Sequence, residues 1–379
     1  MIQRLSLRTL ADLMKWSDEV ATREFAWLRL MSRLKYDGYQ DYLAGVRFLE
    51  SLVTWLRQFK PEHRETAYRL VRERLVFIST PEMRRLVERF YPRDVEPRLV
   101  RAAADASNVR WYEVWANEEA VRVFERLRRQ TLFVGLSDGA RMDVFRRANT
   151  GIISNEQTVL GPLVDHDKWR DLGDELKKDS ALTGVSDPKF TQLYLIDDLT
   201  ASGTTLLRFD EVKKKWKGKL PKLRDAIWKA RADLGAEFPI ATNFQVCVYH
   251  YIATKAALES ARALDLKARS EHQAGEWFTN VEFTAGLTLD DAARVHATDN
   301  EDAAIRDLAN RYYDPVLENR HTAESGMKDM RMGYKGCALT LILEHNTPNN
   351  ALSLLWADTP GANGAHAMRP LFRRRTRHV

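Results

Sequence analysis

The sequence has few of the features that mark secreted or membrane proteins. Only two of its 379 residues are cysteine, Cys247 and Cys337, and neither belongs to a CxxC pair. Two cysteines do not make a disulfide framework, so we expect a reducing compartment, the cytoplasm. No run of 18 apolar residues is present, which argues against a membrane-spanning helix. The opening residues MIQRLSLRTLADLMKW are amphipathic and lack the apolar core of a signal peptide.

Internal repeats and low-complexity linkers are also missing, which argues against a solenoid or a tethered array. The apolar fraction of 44% is enough for a hydrophobic core. Lys and Arg total 59 against 53 Asp and Glu, and the pI is about 9.2. This mild basicity permits phosphate-bearing partners without requiring them.

The last residues, LFRRRTRHV, are more basic than the rest of the chain. Arg373, Arg374, Arg375 and Arg377 fall within five positions. Two interpretations remain open: a solvated tail, or an arm that contacts nucleic acid.

Hydrophobic spacing divides the chain into a helical front and an alternating remainder. Apolar residues recur at helical spacing through most of residues 1–128, and their tryptophans (Trp16, Trp27, Trp55, Trp111 and Trp115) favour a core role over base stacking. Strand-like and helical segments then alternate, which is typical of an α/β fold with a largely parallel sheet. The predicted strands are TLFVGL, LYLI, NFQVCVYHYIA, VEFTAGLT and CALTLILEH. We therefore predict a helical N-terminal region (1–128), an α/β domain (129–362) and a basic C-terminal tail (363–379).

One stretch, QLYLIDDLTASGTTLL at 192–207, places two aspartates at the end of a predicted strand. A loop of small and hydroxyl residues follows, and we expect a helix from Leu206 to about residue 234. Ligands of open α/β sheets bind beyond the carboxyl ends of strands. Backbone N–H groups, hydroxyls and a helix N-terminus suit a phosphate, whereas Asp197 and Asp198 need a diol or a cation. The combination describes a ribose 5-phosphate site.

This pattern resembles the phosphoribosyl-pyrophosphate (PRPP) signature of type I phosphoribosyltransferases. The resemblance implies that Asp197 and Asp198 hold the ribose hydroxyls and support Mg²⁺ indirectly. It also implies that the loop binds the 5′-phosphate through Thr200, Ala201, Ser202, Gly203, Thr204 and Thr205.

The same family has an earlier loop that binds pyrophosphate, and FVGLSDGAR fits it by position. Its candidate residues are Ser137, Asp138, Gly139 and Arg141. Asp138 departs from the expected chemistry, because a carboxylate repels pyrophosphate unless Mg²⁺ lies between them. A simple turn with Ser137 or Asp138 as a helix cap is the alternative.

Residues 148–190 occupy the place of the mobile loop that closes over PRPP in this family. They contain a possible helix at 166–179, and Lys168, Arg170, Lys177 and Lys178 are candidate sources of positive charge. Asp165, His166 and Asp167 resemble a metal cluster, but a solvated turn is favoured because neighbouring side chains rarely converge on one ion.

The acceptor-binding hood of the family is expected near the late strand CALTLILEH. Its candidate residues are Tyr334, for stacking on a base, and Asn346, Asn349 and Asn350, for reading a polar ring edge. A turn around Pro348 with a surface aromatic is the alternative. His250 lies on a predicted buried strand, where a hydrogen-bonded core histidine is favoured over a catalyst.

Over residues 35–358 the chain resembles the phosphoribosyltransferase-like proteins of bacterial conflict systems, the PRTase-CE type. The segments that carry this resemblance include TWLRQF, FVGLSDGARMD and EHNTPNNALSLLW. The resemblance implies an effector enzyme of anti-phage defence, in some cases retron-associated, that uses PRPP or a nucleotide with Mg²⁺ and acts at ribose C1. A reverse transcriptase, nucleic acid or another defence protein is the implied partner. The alternative is a catalytically silent module that senses PRPP or a nucleotide.

Overall fold

The computed structural model describes residues 2–161, 164–273, 275–318, 322, 327–361 and 364–374. The chain folds into two compact units. The terminal unit combines residues 1–83 with 290–379, and the sheet unit comprises residues 84–289. The predicted division at residues 128 and 362 follows a different criterion, sequence pattern, and stays a prediction.

The two units contain helices and strands whose bounds are as follows. The described α-helices are α1 (Ile2–Met14), α2 (Asp18–Leu34), α3 (Phe48–Arg57), α4 (Arg64–Arg69), α5 (Thr80–Phe90), α6 (Glu96–Ser107), α7 (Glu118–Arg129), α8 (Met142–Ala148), α9 (His166–Lys178), α10 (Lys219–Leu234), α11 (Lys255–Glu271), α12 (Ala303–Arg311) and α13 (Ser353–Trp356). The described strands are β1 (Val76–Ile78), β2 (Thr131–Gly135), β3 (Thr158–Leu160), β4 (Phe190–Thr200), β5 (Arg208–Asp210), β6 (Lys215–Lys217), β7 (Ile240–Thr254), β8 (Val281–Leu289) and β9 (Leu341–Leu343). None of these helices has the length and hydropathy that a membrane-spanning segment needs.

A five-stranded parallel sheet forms the centre of the sheet unit, in the order β3-β2-β4-β7-β8. The predicted α/β class is therefore confirmed. Alternate residues of each strand serve two different cores, because successive side chains point to opposite faces. One face is aliphatic and packs against α9, α10 and α11, as for Leu193 and Leu195. The other face is aromatic: Phe133 and Tyr194 stack with centroids 5.6 Å apart, and Phe145 of α8 lies 4.9 Å from Phe133.

The predicted long helix after Leu206 is wrong at its start. Residues 208–217 form an antiparallel hairpin, β5–β6, and α10 begins only at Lys219. Gly218 joins the hairpin to the helix with φ +128°. The hairpin could not be predicted from this lysine-rich segment, because lysine is depleted in strands.

The last predicted strand is also shorter than expected and lies elsewhere. Within CALTLILEH only Leu341–Leu343 is a strand, and it pairs in parallel with β1 of the terminal unit. It does not join the five-stranded sheet. The sequence DDAARV forms a single 3₁₀ turn at Asp291–Ala293.

The segment expected to be a mobile loop is largely built into the sheet unit. Residues Thr158–Leu160 form the edge strand β3, and α9 buries Trp169, Leu172 and Leu176 in the aliphatic core. Three of the four cations proposed for PRPP form ion pairs on the surface: Arg170 pairs with Glu237 at 3.0 Å, and Lys177 and Lys178 pair with carboxylates of their own helix. This arrangement contradicts a lid formed by α9.

The basic tail is not solvated along its whole length. Leu371 and Phe372 are fully buried in the terminal unit. The Phe372 ring lies within 6.0 Å of aromatic rings from both β1 and the N-terminal helices, among them Tyr36 and Phe77. A deletion that starts at residue 369 would therefore remove core residues. Arg375 and Arg377 lie outside the described residues.

The prediction that the early tryptophans form core holds for only part of them. Trp55 is fully buried, and Trp16 packs edge-on against Tyr68 at 5.0 Å. Trp111 and Trp115, however, are 63% and 56% exposed. They lie on a 3₁₀ turn before α7, where helical periodicity does not apply.

We predict that Gly218→Ala destabilises the sheet unit by at least about 3 kcal/mol. An added Cβ would lie 2.3 Å from the carbonyl oxygen of Leu206, and the φ of +128° is unfavourable for alanine. Gly235→Ala is the matched control, because its φ is +56° and no atom lies within 4 Å of the added Cβ. It should cost about 1 kcal/mol. Urea unfolding followed by circular dichroism measures both, and equal losses would contradict the role of Gly218.

Candidate functional site

The two predicted loops meet where the strand order of the sheet reverses. The first loop is SDGAR, residues 137–141, and the second is the loop that follows β4. Strands β2, β3, β4, β7 and β8 are ordered 2-1-3-4-5 when they are numbered along the chain, so the switch lies between β2 and β4. Their pairing ends at Gly135 and Ile196, and Leu136 N–H donates to the Ile196 carbonyl at 2.8 Å. Beyond this point β4 continues alone on that side. Crevices at such switch points are where open α/β folds bind ligands.

Asp197 is the buried member of the aspartate pair, with 4% of its surface exposed. The Ser137 hydroxyl donates to its Oδ1, and Lys219 Nζ forms an ion pair with its Oδ2. Both oxygens therefore have partners within the protein. A buried carboxylate requires such partners, so Asp197 joins the first loop, β4 and the start of α10.

Asp198 is the more exposed carboxylate and lies against the first loop. Its Oδ1 accepts the backbone N–H of Leu199 at 2.8 Å. A Cβ added at Gly139 would lie only 2.5 Å from its Oδ2. Glycine is therefore needed at 139 for the loop to approach Asp198 so closely. Of the two aspartates, Asp198 is the better placed to contact a ligand in the crevice.

The loop after β4 presents backbone donors that the described part of the protein does not use. The N–H groups of Ser202, Gly203, Thr204 and Thr205 have no acceptor among the described residues. Gly203, with φ +74°, packs against the first turn of α11, and the hydroxyls of Ser202 and Thr204 lie 2.9 Å apart. Consecutive free amides and hydroxyls form an anion-binding concavity.

The helix that follows does not contribute its N-terminal amides as predicted. Lys219 N–H donates to the Thr205 carbonyl and Leu220 N–H to the Leu206 carbonyl, both at 3.0 Å. The positive charge at this point comes instead from the Lys219 side chain, which the sequence analysis missed. Pro221 was the available signal for the true start of the helix, because proline is frequent in the first turn of a helix.

The first loop is more than a helix cap. Ser137 occupies the N-cap position of a 3₁₀ turn at Asp138–Ala140, but its hydroxyl bonds to Asp197 and not to an amide of the turn. Helix α8 itself is preceded by Arg141. Arg141 has a left-handed backbone (φ +49°), a strained conformation that is enriched at functional sites. The N–H groups of Asp138 and Gly139 have no acceptor among the described residues. The Asp138 side chain is exposed.

His250 lies next to Asp197 in the neighbouring strand β7 and is 2% exposed. Its Nδ1 has no hydrogen-bond partner among the described residues, so it differs from the hydrogen-bonded core histidine we expected. Burial lowers the pKa of His250 to about 4, and the charge of Asp197 opposes this shift only in part. The imidazole is therefore neutral at physiological pH.

The predicted hood residues belong to the terminal unit, whereas the crevice belongs to the sheet unit. Asn350 Nδ2 donates to the Tyr334 carbonyl at 3.2 Å, and Tyr334 N–H donates to the Asn349 carbonyl at 2.7 Å. Asn346 exchanges backbone hydrogen bonds with Leu343. These contacts describe a structural turn, and the acceptor role of the four residues stays a prediction.

The residues of the crevice fit Mg²⁺ only in a restricted way. Among the described residues no group of three or more His, Cys, Asp or Glu side chains is placed to hold a metal. Asp197 is already used by Ser137 and Lys219. Asp198 and the exposed Asp138 are the other two carboxylates of the site, and they suit an ion that takes most of its ligands from substrate phosphates and water, the usual Mg²⁺ arrangement.

The Asp165–Asp167 segment is the start of α9, the helix predicted at 166–179, and not the solvated turn that was favoured over a metal cluster. Asp165 caps α9 by accepting the Lys168 N–H at 2.7 Å, and His166 lies 3.2 Å from Asp233.

The fold and the crevice define a phosphoribosyltransferase-like α/β protein. The family model PRTase-CE matches residues 52–374, most of the chain, and the protein therefore belongs to the PRTase-CE family. No curated protein and no solved structure matches the chain.

We predict that Gly139→Ala weakens PRPP binding at least about tenfold, because the added methyl would displace the Asp198 carboxylate. Titration calorimetry with PRPP and Mg²⁺ measures the effect. Gly173→Ala is the control, since its Cβ would meet only ordinary contacts at 3.4 Å or more. Equal affinities for wild type and Gly139→Ala would show that the first loop does not position Asp198 for this ligand.

We predict a pH dependence of stability that originates at His250. The folded-state pKa of about 4 lies below the unfolded value of 6.5, so the unfolded chain binds the extra proton first. The contribution of His250 to the free energy of unfolding is therefore fully present above pH 6.5. It falls by up to about 3 kcal/mol as the pH falls towards 4.

His250→Leu should remove this component, whereas substitution of the partly exposed His166 by Gln should leave it in place. Urea unfolding at pH 7 and pH 5 compares the three proteins. If His250→Leu keeps the full wild-type loss, the assignment is wrong.

Proposed function

We propose that the protein is a phosphoribosyltransferase-like enzyme that binds PRPP with Mg²⁺ in the crevice between β2 and β4 and acts at ribose C1. The 5′-phosphate binds the amides of residues 202–205. Asp198 accepts hydrogen bonds from ribose hydroxyls, and the amides of Asp138 and Gly139 face the pyrophosphate. Membership in the PRTase-CE family supports this class of activity.

The observation that carries the proposal is the pairing of unused amides with a carboxylate at one end of the sheet. Ser202, Gly203, Thr204 and Thr205 offer consecutive donors that suit an anion, and Asp198 offers acceptors. A ribose 5-phosphate carries an anion at one end and donor hydroxyls in the ring. A free phosphate would not need the carboxylate, and a sugar without phosphate would not need the loop.

The reaction breaks the bond between C1 and the pyrophosphate oxygen, and the electron pair leaves with pyrophosphate. An acceptor nitrogen or oxygen forms the new bond to C1 and loses its proton. The protein contributes by positioning and by electrostatic stabilisation, since pyrophosphate is already a good leaving group. Bound Mg²⁺ would neutralise pyrophosphate charge, with Asp198 and Asp138 as its nearest carboxylates.

An effector role in anti-phage defence, with a nucleic-acid or defence-protein partner, completes this proposal and rests on the resemblance alone. The silent-sensor alternative is favoured by one feature, the exposed Asp138 carboxylate in the loop that would face pyrophosphate. A sensor binds PRPP or a nucleotide and consumes none, so turnover separates the two.

We predict that Asp198→Asn lowers pyrophosphate release by about a hundredfold or more. The variant keeps an oxygen for the Leu199 N–H and so should keep the fold. Release is measured with PRPP, Mg²⁺ and pooled bases, nucleosides, nucleotides and RNA, and mass spectrometry then identifies the acceptor.

Asp167→Asn, an exposed site on α9, is the matched control and should keep full activity. Wild-type activity in Asp198→Asn would contradict the site. PRPP binding without any release from the wild type would favour the sensor.

A further inference from the structure

The hairpin β5–β6 and the start of α10 line an open pocket of about 920 Å³ that the phosphoribosyltransferase signature does not account for. Thr205, the last residue of the phosphate loop, and Lys219, the partner of Asp197, both belong to its wall. The pocket therefore adjoins the crevice. Its volume falls in the range of about 300–1,000 Å³ that small-molecule sites occupy.

The wall of this pocket is strongly cationic. It includes seven Lys or Arg side chains against two carboxylates, Asp225 and Glu271. Several of the cations have acidic partners, as Lys217 has Asp210. Lys215 and Lys222 form no ion pair with any described residue, and Arg208 donates only to a backbone carbonyl, that of Thr204 at 3.0 Å.

Cations that line one concave surface repel one another, and Arg208, Lys215 and Lys222 have no acidic partner among the described residues to offset this repulsion. A bound anion with several charges would offset it. Lysine and arginine side chains from the hairpin and from α10 suit a phosphate or diphosphate, whose oxygens accept charge-assisted hydrogen bonds.

An aromatic surface lies beside these cations. Phe209 and Trp216 are opposite each other in the hairpin, with ring centroids 5.2 Å apart, and both line the pocket. The Trp216 indole N–H donates to Glu271 at 3.0 Å, which fixes the orientation of its ring. A fixed, half-buried indole beside a phosphate site is suited to a nucleobase, because every base has a stacking face.

We propose that this pocket binds a nucleoside diphosphate or a closely similar nucleoside phosphate. Its phosphates contact Arg208, Lys215 and Lys222, and its base packs on Trp216. If the proposed function holds, on which this last step rests, the pocket places a phosphorylated nucleoside beside the ribose C1 as acceptor or activator. The volume of the pocket suits a mononucleotide.

The binding test uses titration calorimetry with ADP at about 0.15 M salt, with ribose 5-phosphate present in excess to occupy the crevice. Wild type should bind one ADP, and adenosine should bind at least about tenfold more weakly because it lacks phosphates. Lys215→Gln/Lys222→Gln should weaken ADP binding about tenfold or more.

The matched control is Lys213→Gln/Lys229→Gln. It removes the same charge from the turn of the same hairpin and from the same helix, at exposed positions that do not line the pocket. It should bind ADP as wild type does. Equal weakening in both double variants would overturn the proposal, since it would show non-specific attraction. Absence of ADP binding would also overturn it.

Two further measurements separate this pocket from the crevice. Asp198→Asn should keep ADP binding even where it loses PRPP turnover, so failure of the proposed function leaves the pocket test intact. Loss of ADP binding in Asp198→Asn would place ADP in the crevice and overturn the pocket assignment. An eight-nucleotide oligo-dT that binds more than tenfold tighter than ADP would identify a nucleic-acid groove instead.

Discussion

Asp197 carries a carboxylate inside a parallel sheet, where an unpaired charge would be strongly destabilising. The Ser137 hydroxyl and the Lys219 ammonium group satisfy it from two different segments. This requirement fixes the first loop against β4 and sets where α10 begins. It also explains why the chain after the phosphate loop must return to the strand end before the helix starts. The crevice is thus assembled around one buried charge.

The adjacent carboxylate has a different task because neighbouring side chains of a strand point in different directions. Asp197 points to its internal partners, while Asp198 lies against Gly139 at the mouth of the crevice. A pair of acidic residues therefore gives one structural group and one group for ligand contact. The unused amides of residues 202–205 complete the site from the other side.

Much of this site could be predicted from the sequence because its signals are local. The apolar run before Asp197, the small and hydroxyl residues after it, and the glycine at 139 all act within their own segments. The contribution of Lys219 could not be predicted, because its partner Asp197 lies 22 residues earlier in the chain. The hairpin between them is rich in lysine, which is untypical of strands. The partner of β9 was hidden for the same reason: β1 lies more than 250 residues earlier in the chain. The sequence pattern places Phe372 in a basic tail, because only the tertiary packing shows that its ring is buried.

A crystal structure of the protein with bound ribose 5-phosphate tests the central assignment most directly. The account predicts phosphate oxygens within hydrogen-bond distance of the Ser202–Thr205 amides and ribose hydroxyls on the Asp198 carboxylate. A phosphate bound elsewhere, or a ribose ring that does not contact Asp198, would contradict it.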